Sequence, residues 1–420
     1  MGQSKIRNEM TDELEVKARD SGGENLDSFS AVAVALLTGG SDKHYVYGLS
    51  TALGAKGAMI DLIGSDELDE PELRATPGVN FVNLRGDQRQ DVNLLSKVIR
   101  VSAYYAKLIH YAATSKMKVF HILWNNRFAL FDRTFLTLYY KLLGKRIVLT
   151  AHNVNVGRRD GKDTRLSRLT LKIQYGLADH VFVHTQKMKS ELISEFGVTE
   201  PHVTVVPFGI NNAVPRTNLS PTEARRRLGI RGSDKAILFF GKIGPYKGLD
   251  YLVRAFQENL AGSDDYRLII GGSPRGGSEQ YWQSLEEVIR KDRRILLKAE
   301  FIPDSEIEVY FKAADVLVLP YRHIYQSGVL FLGYSFGLPV LAADVGSMKE
   351  EIIEGETGFV FKPEDVAGLA RTIDRYFNSD LFACLASRRE KIQAFAIRRH
   401  SWHTVGQLTM QVYDELLCHH

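Results

Sequence analysis

"YQSGVLFLGYSFGLPVLAADVGS", Tyr325 to Ser347, lies in a run of 21 residues, His323 to Ala343, that carries no formal charge. A membrane-spanning helix needs roughly 20 mostly apolar residues, so the length alone admits one. The composition argues against it. Gln326, Ser327, three glycines (Gly328, Gly333, Gly337) and Pro339 interrupt the run, and Arg322 and Asp344 bound it closely. A helix and strand passing through the interior of a parallel α/β sheet give the same silence of charge, because parallel strands are covered on both faces. We read the segment as a buried helix followed by a buried strand, and the chain as soluble.

Working outward, the chain alternates in the same manner. In the first half, strands are expected at 29–37, 58–64, 79–84, 118–123, 146–153, 180–185 and 202–210. Helices are expected at 45–56, 91–115, 128–143, 166–177 and 186–196. Residues 211–234 are polar and hold Pro215 and Pro221, which marks an inter-domain linker with a short helix. A second run follows, with strands at 236–241, 267–272, 295–301, 315–320, 339–343 and 358–361. Its helices are expected at 248–259, 278–290, 304–313, 329–336 and 366–377. A last helix at 401–417 follows a gap in the pattern and is expected to cross back to the first domain. Strands alternating with helices mean parallel α/β sheets. The expected layout is a mobile tail at 1–28, one domain at 29–211, a second at 212–395 and a crossing-back helix at 396–420, with a cleft between the domains.

The 420 residues suit two domains of about 100–200 residues each. Only Cys384 and Cys418 are present, which fits a reducing, cytoplasmic setting and argues against a disulfide framework. Residues 1–28 are polar with mixed charge and do not read as a secretory leader. A net charge of +4 gives no case for nucleic acid. Its distribution is more telling: residues 141–189 hold 11 Lys/Arg against 3 Asp/Glu. Such clustering favours phosphates or an anionic membrane surface.

In open parallel sheets, ligands sit at the carboxyl ends of strands. Four features fall there. In "FFGKIGPYKG", Phe239 to Gly248, Gly241 ends a strand, and Lys242 and Lys247 flank a Gly-Pro turn. Glycine admits close approach, and two ammonium groups neutralise a diphosphate. The spacing is not that of a Walker loop. Next, Gln326-Ser327-Gly328 precedes the apolar segment from Val329. If that segment is helical, Ser327 or Gly328 caps it, and its free N–H groups suit a phosphate. Third, Gly39-Gly40 follows the first strand. Fourth, His152 ends "VLTAHN". Taken singly, each also fits a plain structural part: a solvated turn, a core helix with an ordinary cap, a βα turn, a packing histidine.

In this order the four features resemble the GT-B glycosyltransferases of the family-4 type, over nearly the whole chain after the tail. "GKIGPYKGLDYLVRAF" is similar to that family's donor loop, and "VVPFGIN" (205–211) to its inter-domain strand and turn. "GLPVLAADVGSMKEEIIEGETGFVF" (337–361) resembles its late segment, and "SWHTVGQLTMQVYDELL" its crossing-back terminal helix. The resemblance implies two Rossmann-like doubly wound domains facing a cleft. It implies transfer of a sugar from a nucleoside diphosphate sugar to a saccharide or lipid-linked saccharide acceptor. Gly39 and Gly40 would approach the donor phosphates and acceptor, His152 the transferred sugar, and Lys242 and Lys247 the diphosphate. Gly241, Gln326, Ser327, Gly328 and Val329 complete the donor-binding set, the last three through helix-start N–H groups. No cofactor and no obligatory metal are implied.

One departure stands out. The family places two glutamates eight positions apart before "GLPV", and Ile324 and Leu332 occupy those places here. Neither accepts a hydrogen bond. His323, Tyr325 and Gln326 are the candidates to substitute. Retention needs no protein base; inversion needs one, with Asp160 the candidate. The segments 127–146 and 155–172 mix basic and apolar residues, which suits an anionic membrane surface, at the inner face of the plasma membrane; solvated helices with snorkelling lysines read the same way. Two other readings stay open: a nucleotide-sugar epimerase on the same scaffold, and a non-catalytic partner of a transferase.

Overall fold

The computed structural model describes residues 32–40, 42–88, 93–159, 163–211, 214–260, 262 and 264–418. The expected tail at 1–28 and the candidate base Asp160 lie outside the described residues.

Short runs of valine, leucine and isoleucine form strands that are buried on both faces, except at the sheet edges 79–83, 203–205 and 295–298. The first sheet has the order β3-β2-β1-β4-β5-β6-β7. Its strands are β1 Ala33–Leu37, β2 Met59–Gly64, β3 Val79–Asn83, β4 Val119–Ile122, β5 Arg146–Thr150, β6 His180–Val183 and β7 Val203–Val205. The second has the order β10-β9-β8-β11-β12-β13. Its strands are β8 Lys235–Phe240, β9 Tyr266–Gly271, β10 Ile295–Lys298, β11 Val316–Leu319, β12 Val340–Ala343 and β13 Gly358–Phe361. Neighbouring strands pair in parallel throughout. Both sheets are flanked by helices, so the protein holds two Rossmann-like domains. In each, the strand order reverses beside the first strand, between β1 and β4 and between β8 and β11. Such a switch point opens a crevice at the strands' carboxyl ends.

The helices that shape the site are α1 Lys43–Gly54, α2 Leu94–Thr114, α3 Arg165–Leu177, α4 Gln186–Phe196, α5 Asp304–Ala313, α6 Gly328–Ser335, α7 Leu385–Arg399 and α8 Trp402–Cys418. The charge-free run contains α6 and β12. Helix α6 packs on β11, β12 and α7 and buries Leu330 to Ser335. A side chain at Gly333 would meet Leu317 at 2.7 Å, so glycine sets how closely α6 lies on β11. The Tyr334 hydroxyl donates to the Glu351 carbonyl at 2.8 Å. Among the described residues no helix is long and apolar enough to cross a membrane.

The strands expected at 146–153, 202–210 and 295–301 end earlier, at Thr150, Val205 and Lys298, and two expectations about helices also differ from the structure. The helix expected at 128–143 is interrupted by a π-helical turn at Asp132–Leu136. The gap after 377 is filled by α7, which runs through position 395, and the chain bends at His400 and Ser401. Helix α7 is rich in charge and buries little beyond Ile392 and Ala396, so its apolar period is faint.

The chain crosses between the sheets twice, after β7 and before α8, and the two crossings bond to each other. The Ile210 N–H donates to the His400 carbonyl at 3.0 Å, and His400 Nδ1 lies 3.1 Å from the Phe208 carbonyl oxygen. Helix α8 then packs on α1. The Trp402 indole fills space left by Gly48 and Gly209, and its N–H donates to the Ile210 carbonyl at 2.9 Å. Removing that ring opens a cavity at the junction. We expect Trp402→Ala to lower unfolding free energy by about 3 kcal/mol. Trp402→Phe keeps most of the ring and should lose about 1 kcal/mol with the hydrogen bond. Denaturant midpoints followed by circular dichroism check both; equal losses would mean that ring packing is irrelevant there.

Candidate active site

Gly241 follows β8 at the switch point of the second sheet, with φ +99°. A Cβ there would lie 2.9 Å from Lys247 Nζ and 3.4 Å from Val329 Cγ2. These three residues therefore share one small space. The Gly-Pro turn brings Lys247 back: Pro245–Lys247 form one 3₁₀ turn, and Lys247 is only 6% exposed. Its ammonium sits 5.5 Å from the centre of the Tyr321 ring. The Tyr321 hydroxyl lies 3.3 Å from Ser327 Oγ. Ser327 is the N-cap of α6, as expected, but its side chain makes no capping bond. The positive end of α6 and a buried ammonium thus face one space.

Gln326 precedes this group. Both its carboxamide atoms are buried without a hydrogen-bond partner. A buried unsatisfied amide costs about 1–3 kcal/mol. The other candidates for the missing glutamates differ. The Tyr325 hydroxyl donates to Glu191 of α4 at 2.8 Å, and His323 is exposed. Leu332 is buried and Ile324 packs against the core of the second domain.

His152 lies just beyond β5, in a nest of rings. It stacks on Trp124 at 4.1 Å and meets the edge of Tyr45 at 4.6 Å. Its Nδ1 is 3.0 Å from His184 Nε2, and His184 Nδ1 is 3.2 Å from the Val206 carbonyl oxygen. A carbonyl only accepts, so His184 carries its proton on Nδ1 and accepts from His152 on Nε2. His152 Nε2 is then left as a bare acceptor, buried and unpartnered. Phe208 links this nest to the other domain, stacking on Phe331 of α6 at 5.3 Å.

Gly39 and Gly40 form the turn after β1, with positive φ. A side chain at Gly40 would strike the Arg85 guanidinium. The turn and exposed Lys242 line one cavity of about 920 Å³. The structure so places the candidates in three groups: Gly241, Lys247, Ser327, Gly328 and Val329 together; Gly39, Gly40 and Lys242 around the cavity; His152 and Gln326 each buried with an unspent polar group. The sequence reading missed Arg85 as a neighbour of the Gly39-Gly40 turn, for which no local pattern exists. Among the described residues no group of His, Cys, Asp and Glu is arranged to hold a metal ion.

Burial, then the neighbouring histidines, holds His152 well below its ordinary pKa; burial takes His184 down to about 4 and His121 to about 3. These rings are neutral when folded and free to protonate when unfolded. The unfolded chain binds more protons below about pH 6.5, so stability falls as pH drops from 6.5 towards 4. We expect each such histidine to cost at most about 1.4 kcal/mol per pH unit over that window. Denaturation midpoints from pH 7.5 to 4.5 check this, and His184→Asn should flatten the slope.

The chain was compared with known proteins. A family model described as "Glycosyltransferase Family 4" matches residues 43–214, and one described as "Glycosyl transferases group 1" matches 234–379. The D-inositol 3-phosphate glycosyltransferase of Acidothermus cellulolyticus is 30% identical over 248 residues, 57% of this chain and 54% of that protein. An uncharacterized glycosyltransferase of Methanocaldococcus jannaschii is 27% identical over 275 residues, 63% of this chain and 68% of that one. The chain thus spans about half the length of several curated relatives that it matches. Among solved structures, the sucrose-phosphate synthase of Thermosynechococcus elongatus superposes with TM-score 0.72 at 19% identity, covering 92% and 99% of the two chains. HepE of Anabaena, in complex with UDP and glucose, gives 0.69 at 17%, covering 91% and 100%. Both likenesses bear on the fold.

Proposed function

The chain belongs to the GT-B glycosyltransferases of the family-4, group 1 type, and we propose that it moves a sugar from a nucleoside diphosphate sugar to an acceptor hydroxyl. The observation that carries this is the meeting of Lys247 with the start of α6 at side-chain-free Gly241. That space suits a diphosphate, with the α6 N–H groups and the ammonium on its oxygens. The Anabaena neighbour, held with UDP and glucose, supports the same donor class.

In this reading the bond from the anomeric carbon to the diphosphate oxygen breaks, and one from that carbon to the acceptor oxygen forms. The acceptor proton leaves to the departing phosphate or to a base. Lys247, Lys242 and the start of α6 stabilise the negative charge on the leaving group, so no obligatory metal is called for. His152 Nε2 accepts from a sugar hydroxyl, and Gln326 bonds sugar hydroxyls in place of the glutamate that Ile324 replaces. A carboxamide both donates and accepts, whereas a glutamate only accepts. Gln326 therefore widens the sugar polarity that the site tolerates.

We also infer that the first domain rests on an anionic membrane surface and draws its acceptor, a lipid-linked or growing surface saccharide, from there. Helix α3 packs beside the π-helical turn. The stretch from Phe128 to Leu142, which contains that turn, exposes Phe128, Leu130, Phe135 and Leu142, and α3 exposes Leu166 and Leu169. The basic surplus nearby is partly spent: Lys141 pairs with Asp179, Arg158 with Glu191 and Arg168 with Asp163. Arg165 and Lys172 carry no ion pair among the described residues. The exposed thiols of Cys384 and Cys418 suit the reducing, cytoplasmic side.

Titration with a panel of nucleotide sugars, analysed for products, tests the catalytic reading. Slow release of free sugar supports transfer, an isomerised donor would mean epimerisation, and neither binding nor turnover would mean a non-catalytic partner. We expect Lys247→Ala to weaken donor binding at least 100-fold, about 2.7 kcal/mol. Unchanged affinity would defeat the diphosphate assignment. Gln326→Ala should lower kcat/KM about tenfold and leave the affinity for the free nucleoside diphosphate within twofold.

A further inference from the structure

The loop between β11 and α6 is held by both domains. Ile324 packs against the core of the second domain; the next side chain, Tyr325, packs against the core of the first. The phenol ends on α4, where its hydroxyl donates to Glu191 Oε1 at 2.8 Å. The Glu191 side chain is 11% exposed, so this bond is sheltered from water. Glu191 is fixed in turn. Arg158 donates to the same oxygen at 2.9 Å and to Glu195 Oε2 at 2.5 Å. Arg158 belongs to the helical turn Val156–Arg159, which follows His152. A hydrogen bond to an ionised acceptor is stronger than a neutral one, and sheltering reduces its screening by salt.

The backbone of Tyr325 is fixed from the opposite side. Its carbonyl accepts from the Ser347 N–H and from the Ser347 hydroxyl, each at 3.0 Å. Ser347 is buried, and Gly346 beside it, with φ +60°, permits the close approach: a Cβ there would strike the Ile324 carbonyl oxygen. One residue is thus pinned at its backbone by the second domain and at its side chain by the first. The next residue is Gln326, with its unspent carboxamide, and the one after is the N-cap of α6. Rotating the domains apart breaks the Tyr325 bond or pulls the loop along with it. A second polar bridge, from Lys43 and His44 to Asp304, also crosses between the domains, at 3.6 and 3.8 Å. Its partners are partly exposed, and such a pair holds weakly.

We propose that Tyr325 and Glu191 are positioning residues for sugar transfer. Their bond is a clasp between the domains, and it sets the β11–α6 loop so that the Gln326 carboxamide and His152 meet the same sugar. The proposal rests on the transferase reading and adds the contact that ties domain closure to the sugar site. Neither residue touches the reacting atoms. The grip on the diphosphate belongs to Lys247 and the start of α6, beside Gly241, none of which bonds to the clasp. Losing the clasp therefore separates turnover from nucleotide affinity, because chemistry needs a placed sugar and nucleotide binding does not.

Tyr325→Phe keeps the ring and removes the bond. With the nucleotide sugar selected by the donor panel, its kcat for sugar release should fall at least tenfold, while KM and the affinity for the free nucleoside diphosphate stay within threefold. Glu191→Ala should fall as far, and the double variant Tyr325→Phe/Glu191→Ala no further than either alone. Glu191→Gln keeps an acceptor for the phenol and should fall no more than threefold. A kcat that is unchanged or raised in Tyr325→Phe, or losses that add in the double variant, overturn the proposal. Spin labels on the two native thiols test the clasp apart from the chemistry. Cys384 begins α7, which packs on α6, and Cys418 ends α8, which packs on α1; both thiols are exposed. Dipolar distances between the labels should give one separation in the unaltered chain and a broader distribution in Tyr325→Phe. Identical distributions overturn the proposal whether or not the chain turns over a donor. A chain that binds no nucleotide fails the transferase reading, and the label distances still decide whether Tyr325 and Glu191 hold the domains together.

Discussion

The architecture depends on how α6 is enclosed. A helix packed on two strands and a second helix must be apolar on nearly every side, so Leu330 to Ser335 carry no charge. Its backbone polarity is satisfied internally except at the start, where the first N–H groups have no partner within the helix. Those groups have to open onto something polar. The fold directs them to the carboxyl end of β8, beside Gly241 and Lys247. Burying the helix and presenting its free N–H groups beside a buried ammonium are two consequences of one constraint.

The corner is completed across the gap between the sheets. Phe208 stacks on Phe331 and joins the ring nest of His152 to α6. The His152–His184–Val206 chain then fixes which imidazole nitrogen is bare. Burial keeps both rings neutral, so His152 acts as a hydrogen-bond acceptor rather than as a cation. Two unspent acceptors and donors, His152 Nε2 and the Gln326 carboxamide, are tolerated at some cost in stability. Such costs collect where a ligand restores the balance.

Relative to the family pattern, the charge of the site is shifted. With Ile324 and Leu332 in the glutamate places, the chain has two carboxylates fewer there than the family pattern, while Lys247 and the start of α6 remain. The cavity beside the Gly39-Gly40 turn is likewise lined by one carboxylate, Glu67, against five basic side chains among the described residues.

Much of this was legible in the linear pattern. Runs of valine and leucine alternating with helical periods require parallel sheets, because only buried parallel strands read as unbroken apolar segments. Helices Gln186–Phe196 and Asp304–Ala313 have the bounds that were expected. Glycines and lysines after β1 and β8 marked the strand ends. What the pattern did not carry depends on distant partners. Strands were expected to continue through "AHN" after β5, and they stop where pairing with a neighbour stops. The charged helix α7 buries too few residues to show a period. Arg85 comes to Gly40 only because β3 lies two strands from β1, and the tautomer of His152 is set by a carbonyl 54 positions away. Local sequence determines which groups are apolar, chiral or charged, since those are properties of single residues. Which of those groups share a space is decided by the packing of whole elements, and chemistry at a site is a property of shared space.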